Sequence, residues 1–310
     1  MSRPWIAVPL LIALPWASGA DQKTPVFPAG VDVVNITVTV RDAQGRLVTD
    51  LDAQDFLVRE DGRPQLVQLF SRATEPGHED ALAMDLGMLL DTSESMQEQM
   101  RLTQESAVRF LESIPRARDL IMIFFDQDIR VSRYASENQQ GLFERILEAK
   151  GAGTTALYDA ISVYISRVQD SPGRKVLLVF TDGEDTTSAI SLFDLIQLVR
   201  SSSVTIYPIA FLGSFGMGSK SYITSKACLN QLADVSGGQV FHPVTSKDLA
   251  GIYDRILDEL KGQYVVGFVS DNPRKDGKFR RLRVEVSRNK ETFRVRHRAG
   301  YYAAGDGPRP

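Results

Sequence analysis

The chain has 310 residues, with 36 Lys or Arg against 39 Asp or Glu and a formal net charge of −3. That length allows a full hydrophobic core and more than one domain; the apolar and charged fractions are those of a globular protein, and the small net charge singles out no class of partner. Cys228 is the only cysteine, which excludes an internal disulfide.

Residues 1–20 read as an export signal. Arg3 gives a positive start, Ile6 to Trp16 is mostly apolar, and Ala17-Ser-Gly-Ala20 offers small residues for cleavage. The apolar run is short for a bilayer span, so cleavage is expected rather than retention as an anchor. No Cys lies at the cleavage site to carry a lipid. No later segment is long and apolar enough to cross a membrane, so the mature protein is expected to be secreted or periplasmic and not membrane-spanning.

Residues 21–80 form an expected β segment and linker. Val34, Ile36, Val38 and Val40 alternate with Asn35, Thr37, Thr39 and Arg41, which marks one buried and one wet face. Turns follow at Asp42–Gly45 and Glu60–Gly62, and the stretch from Ser71 to Asp80 is polar and broken by Pro76-Gly77.

From 81 to 261 apolar strands alternate with amphipathic helices. The strands read as Leu86–Leu90, Leu120–Phe125, Val176–Thr181, Val204–Ala210 and Val240–Phe241, and a last helix runs from about Lys247 to Leu260. Such alternation predicts an α/β fold, a doubly wound, mostly parallel sheet with helices on both faces. Cys228 shares a helical face with Leu232 and Val235, as a buried core thiol would.

Residues 262–303 return to strands, and 304–310 form a short tail. Too few strands stand on either side of the α/β segment for a stable sheet of their own. The two β segments are therefore expected to pair into one β-sandwich-like domain with the α/β segment inserted between them. The last strands carry eleven Lys or Arg against four Asp or Glu between Asp271 and Tyr301. Arg281, Arg283, Arg294, Arg296 and Arg298 fall on outward positions, as a solvated edge that resists strand addition or as a cationic stripe.

Three short segments carry the chemistry. Met84 to Leu90 is an apolar run ending in Asp91, with Ser93 and Ser95 on the turn into a helix. Ser95-x-x-Glu98 also fits a capping box, which would make Ser95 only a helix cap. Gly151-Ala-Gly-Thr-Thr-Ala-Leu-Tyr158 is a glycine-rich loop opening a helix, with Thr154 and Thr155 both candidates. Lys175 to Thr181 is a second buried strand, followed by Asp182-Gly183. Carboxylates and hydroxyls at strand ends suit a small hard cation such as Mg2+, with Mn2+ or Ca2+ as alternatives.

In this order of strand-D-x-S-x-S, loop-Thr and strand-T-D-G, the chain resembles the von Willebrand factor A family and its metal-ion-dependent adhesion site. The resemblance implies Asp91, Ser93 and Ser95 as ligands, Thr155 as a direct or water-linked ligand, and Asp182 as a contact through water. It implies a Rossmann-like fold and binding of a protein partner that supplies an Asp or Glu carboxylate. Glu94 departs from the glycine frequent at that position. The segments Val40–Val48 and Leu51–Gly62 also resemble those preceding the A domain in exported bacterial proteins first described from acidobacteria.

The competing readings are a magnesium-dependent phosphatase-like hydrolase and a structural protein with a vestigial site. Neither His78, His242 nor His297 follows a nucleophile elbow. The aspartyl-phosphate enzymes carry a second Asp two positions on, where this chain has Ser93. The expectation is therefore a protein without catalysis, binding no nucleic acid.

Overall fold

The computed structural model describes residues 32–72, 84–114, 119–134, 140–171, 173–214, 218–243, 246–289 and 291–305. The export signal at 1–20, the linker beyond Arg72, His78 and the end of the tail lie outside them.

The first strands alternate as their sequence requires. β1 (Val33–Arg41) turns Val34, Ile36, Val38 and Val40 inward, all buried. β2 (Phe56–Glu60), β3 (Arg63–Gln65) and β4 (Leu69–Arg72) follow. Their partners come from the far end of the chain: β10 (Tyr264–Val269), β11 (Phe279–Val286), β12 (Arg294–Arg296) and β13 (Gly300–Tyr302). Two antiparallel four-stranded sheets result, in the orders β12-β1-β10-β4 and β13-β11-β2-β3. Both mix N-terminal and C-terminal strands, and Ile36, Val38, Val58, Val266, Phe268 and Val284 share one core. Burying such a side chain stabilises by about 1.5–3 kcal/mol relative to exposure, and neither β segment could do so alone.

Between β4 and β10 lies the α/β layer. Its sheet has the order β7-β6-β5-β8-β9, from β5 (Met84–Asp91), β6 (Asp119–Phe125), β7 (Ile129–Tyr134), β8 (Arg174–Thr181) and β9 (Val204–Ala210). All pairs are parallel except β6 with β7. β5, β6, β8 and β9 are buried along their whole length, as expected of strands covered on both faces. On one face Leu86, Met88 and Leu90 pack with α1 (Met100–Ser113), α2 (Gln140–Glu148) and α6 (Ser246–Gly262). On the other, Leu89 packs with α3 (Leu157–Val168), α4 (Leu192–Ser201) and α5 (Lys220–Ser236). Cys228 is buried there, on α5.

Two expectations need correction. The strand at Val240–Phe241 is a single parallel bridge, Ile209 to Phe241. The outward arginines divide into two groups. Arg281, Arg283 and Arg294 are exposed, whereas Arg296 and Arg298 are half-buried, because the α/β layer covers that face of the sandwich. Glu259 of α6 is fully buried at this junction. Arg41 donates to its Oε2 at 3.1 Å, and Arg296 and the Tyr207 hydroxyl donate to Oε1, the latter at 2.6 Å. Gln263 extends the network, donating to the Tyr207 hydroxyl at 3.0 Å and to Thr39 at 3.2 Å while accepting from Arg174.

Candidate metal centre at the strand ends

In an open parallel sheet, ligands bind beyond the carboxyl ends of strands where successive connections diverge. Here the chain leaves β5 toward β6 on one side, while β8 pairs with β5 on the other. Asp91 ends β5, and Asp182 follows the last residue of β8. Parallel register sets Leu90 beside Phe180, so the two carboxylates leave neighbouring strands, which lie ~4.8 Å apart.

Both aspartates are fully buried. The Ser93 backbone N–H donates to Asp91 Oδ1 at 3.0 Å and its hydroxyl to the same oxygen at 2.5 Å. Thr181 Oγ1 donates to Asp91 Oδ2 at 2.6 Å and accepts from the Gly183 N–H at 3.0 Å. Ser93 and Ser95 hydroxyls lie 3.1 Å apart. Ser93 is buried and Ser95 half-buried. Ser95 does not cap the helix as its sequence allowed: Ser93 precedes a 3-10 turn over Glu94–Met96, and α1 begins only after Gln99.

The glycine-rich loop is sewn to this turn. Ala152 N–H donates to Thr92 O at 2.8 Å and Glu94 N–H to Gly153 O at 3.1 Å. A Cβ on Gly151 would come within 2.9 Å of the Ser93 carbonyl, so this close approach needs glycine. Of the two threonines, Thr154 is exposed and Thr155 buried. Thr155 is held from the third loop: its N–H donates to Thr186 Oγ1 at 2.9 Å, and its carbonyl accepts from Thr186 and Thr187. Gly183 has a left-handed backbone, with φ of 82°. A side chain there would strain the turn and meet Leu229.

The electrostatics are unbalanced. Burial pushes the Asp91 carboxyl up to about 7, the nearby Asp182 charge adds to this, and the Ser93 and Thr181 hydrogen bonds oppose it. Asp182 is also pushed up by burial, with the Ser95 hydroxyl opposing. Asp182 Oδ1 accepts from the Glu184 N–H at 3.0 Å. Its Oδ2 is buried with no hydrogen-bond partner. A buried carboxylate oxygen left in that condition is costly unless a proton or cation meets it.

Residues beyond the five candidates also shape this core. Thr181 orients Asp91. Thr92 Oγ1 donates toward Asp126 Oδ2 at 3.0 Å, and Arg130 binds both oxygens of Asp126 and the Thr92 hydroxyl. Asp126 also accepts through its carbonyl from Ala156 N–H. This brace ties the D-x-S-x-S turn to the threonine loop. Its one sequence signal is a carboxylate at the end of β6, four residues before an arginine.

Of the five candidate residues, Ser93 bonds Asp91 and lies 3.1 Å from Ser95, Asp182 follows the end of the neighbouring strand, and Thr155 is fixed through its backbone to Thr186. Among the described residues no cluster of three or more His, Cys, Asp or Glu is placed to hold a metal ion. Hydroxyl and carboxylate oxygens with an unsatisfied Asp182 Oδ2 fit a hard divalent cation, not a thiophilic one.

A doubly wound layer with these loops at its switch point defines an α/β binding domain, and the comparisons give its family. The profile of the von Willebrand factor type A domain matches residues 85–255. The chain belongs to that family, whose domains are protein-interaction modules. Among solved structures it is similar to a von Willebrand factor type A protein from Catenulispora acidiphila, at 12% identity and a TM-score of 0.50, over 90% of this chain and 75% of that one. An overlap of that extent reaches beyond the α/β layer into the sandwich strands. It is also similar in fold to the pilus adhesin SpaC from Lactobacillus rhamnosus GG, at 8% identity and a TM-score of 0.51, over 79% of this chain and 47% of that one. For proximal thread matrix protein 1 from the mussel byssus the values are 15% and 0.45, over 57% and 48%. The chain thus spans about half the length of the last two. No curated protein matches it.

Proposed function

We propose that the protein is an exported, non-catalytic binding module that takes an acidic group of a protein partner through a divalent cation. The observation that carries this reading is the pair of buried carboxylates, Asp91 and Asp182, with Asp182 Oδ2 lacking any partner. Asp91, Ser93, Ser95, Thr155 and Asp182 would hold the ion, Mg2+ or a similar hard cation. When bound, it supplies a positive charge with an open coordination position that a carboxylate of the partner can fill. Glu94, Ala152, Gly153 and Thr154 are exposed around these residues and form the rim a partner would meet.

Among the described residues, the placement of His242 and His297 argues against histidine-assisted hydrolysis. His297 is held in the sandwich, with Nε2 accepting from Val284 N–H at 3.0 Å and Nδ1 at 2.7 Å from the Arg298 carbonyl. His242 follows the bridge at Phe241, which joins β9 at the sheet edge. Two residues after Asp91 stands Ser93, whose hydroxyl is bonded to Asp91 and carries no acid function. Export rests on the sequence of residues 1–20 alone; among the described residues no helix is long and apolar enough to cross a membrane.

Isothermal titration of MgCl2 and MnCl2 into the full mature chain tests the site, with Asp91→Ala as control. Saturable heat in the wild type and none in the variant is expected. Equal behaviour of the two at millimolar metal would defeat the proposal. Capture of partners from the native envelope, with and without chelator, then tests metal dependence of binding.

A further inference from the structure

At the opposite end of β8 from Asp182, a cavity of about 460 Å³ lies between the α/β layer and the outer face of β1. Arg174, Lys175 and Arg298 line it together with hydroxyls that include Thr37, Ser71 and Ser203; among the described residues no carboxylate lines it. Lys175 Nζ donates to the Gln169 carbonyl at 3.0 Å and to Ser203 Oγ at 3.3 Å. The two arginines are less well served. Arg174 is buried, gives one Nη2 bond to Gln263, and leaves Nε and Nη1 buried without a partner. Arg298 donates to the Asn35 carbonyl at 2.9 Å and toward the Ser202 carbonyl at 3.5 Å, and its Nε is likewise buried and unpartnered.

Burial holds both guanidinium groups below their ordinary range, Arg298 at about 10. Glu259 acts on Arg174 only at a distance, because its own oxygens are taken by Arg41, Arg296 and Tyr207. A buried cation with no acid in direct contact is costly, and the cavity adjoining buried Arg174 and half-buried Arg298 offers hydroxyl donors instead of acids. We propose that this cavity binds a small oxyanion, with Arg174 and Arg298 supplying the charge and Thr37, Ser71 and Ser203 hydrogen bonds. The flat guanidinium fork matches phosphate, sulfate or carboxylate oxygens. The volume falls within the ~300–1,000 Å³ of small-molecule sites, so the anionic group fits either free or carried on a small molecule. Because Arg174 belongs to β8 and Thr37 to β1, the bound anion would bridge the two layers.

The test uses the full mature chain at fixed ionic strength set with NaCl. Melting temperature and calorimetric binding are followed with millimolar phosphate, sulfate and citrate, which separate phosphoryl, sulfuryl and carboxylate ligands. At least one should raise the melting temperature above the chloride baseline. Arg174→Met should fold, since it removes an unpaired buried charge, and should bind the anion about ten-fold or more weakly. The double variant Thr37→Val, Ser71→Ala should also weaken binding and provides the reading if Arg174→Met fails to fold. Asp182→Asn should bind the anion as the wild type does, which keeps this result apart from the metal site. No shift with any of the three anions, or an unchanged shift in both the arginine and hydroxyl variants, would overturn the proposal. So would a shift that survives in Arg174→Met but disappears in Arg294→Ser, which would move the anion to the neighbouring cavity lined by Arg41, Arg255, Arg294 and Arg296.

Discussion

Two buried clusters of charge sit on the same α/β sheet and are built in opposite senses. Beyond the carboxyl ends of β5 and β8, Asp91 and Asp182 lie together with hydroxyls, and no cationic side chain among the described residues bonds either one. At the junction with the sandwich, Glu259 is met by Arg41, Arg296 and Tyr207. The second cluster answers its carboxylate from within the chain; the first does not. A buried charge that the fold itself neutralises belongs to the architecture. One that it leaves open is the feature on which the proposed metal site rests.

The comparison can be broken from either side. Glu259→Ala should have the largest effect, because it leaves Arg41 and Arg296 facing a void without their acid. Loss of one member of a buried ion pair costs about 3–5 kcal/mol, to be read from the urea midpoint of the purified chain. A loss below ~1 kcal/mol would mean that the junction is solvated. Asp91→Asn should behave in the reverse way. It relieves the crowding with Asp182, so the metal-free protein in chelator should melt at or above the wild-type temperature at pH 8. The stabilisation by magnesium, about 2.7 kcal/mol at a hundred-fold excess over Kd, should vanish. A variant that melts lower in chelator and still responds to metal would reverse the contrast.

A smaller effect concerns pH. Burial lowers the pKa of His297 from its ordinary 6.5, and its neutral ring bonds β11 through Val284. The unfolded chain therefore takes up a proton more readily than the folded one as pH falls below 6.5. Stability from this residue is complete above that pH and declines from 6.5 down toward the folded pKa. Urea midpoints between pH 8 and 5 should show the decline in the wild type and a flatter profile in His297→Phe. The smallest effect is expected at the rim. Glu94 is exposed, so Glu94→Gly should leave metal affinity unchanged and strengthen an acidic partner by no more than about five-fold. A marked loss of metal affinity would make Glu94 a ligand.

Much of this was legible before the structure. The period-two pattern in Val34–Val40 and the unbroken apolar strands at β5, β6, β8 and β9 state their own burial, and Asp91, Ser93, Ser95 and Asp182 stand at recognisable strand ends. What escaped the sequence depends on distant partners. β7 carries Arg130, Ser132 and Arg133 and reads as polar because it is an edge strand, held by β6 rather than by a core of its own. Arg296 and Arg298 alternate like solvent-facing residues, since alternation tells which face a side chain takes but not what covers that face. The cover is the α/β layer, and Glu259 lies on a helix packed elsewhere in the sequence. Thr181 ends a strand in sequence and structure alike, but its hydroxyl bond to Asp91 crosses 90 positions and leaves no local signal.

The interleaving of strands has a mechanical consequence. The α/β layer leaves the sandwich from β4 and returns on β10, which are paired neighbours with Phe70 opposite Val266. Tension applied between the segments preceding β1 and following β13 is therefore carried first by the hydrogen-bonded ladders of the sandwich. The load bypasses the strand-end loops until β4 and β10 are peeled apart. A grip placed on those loops would keep its shape while the chain that carries it is pulled.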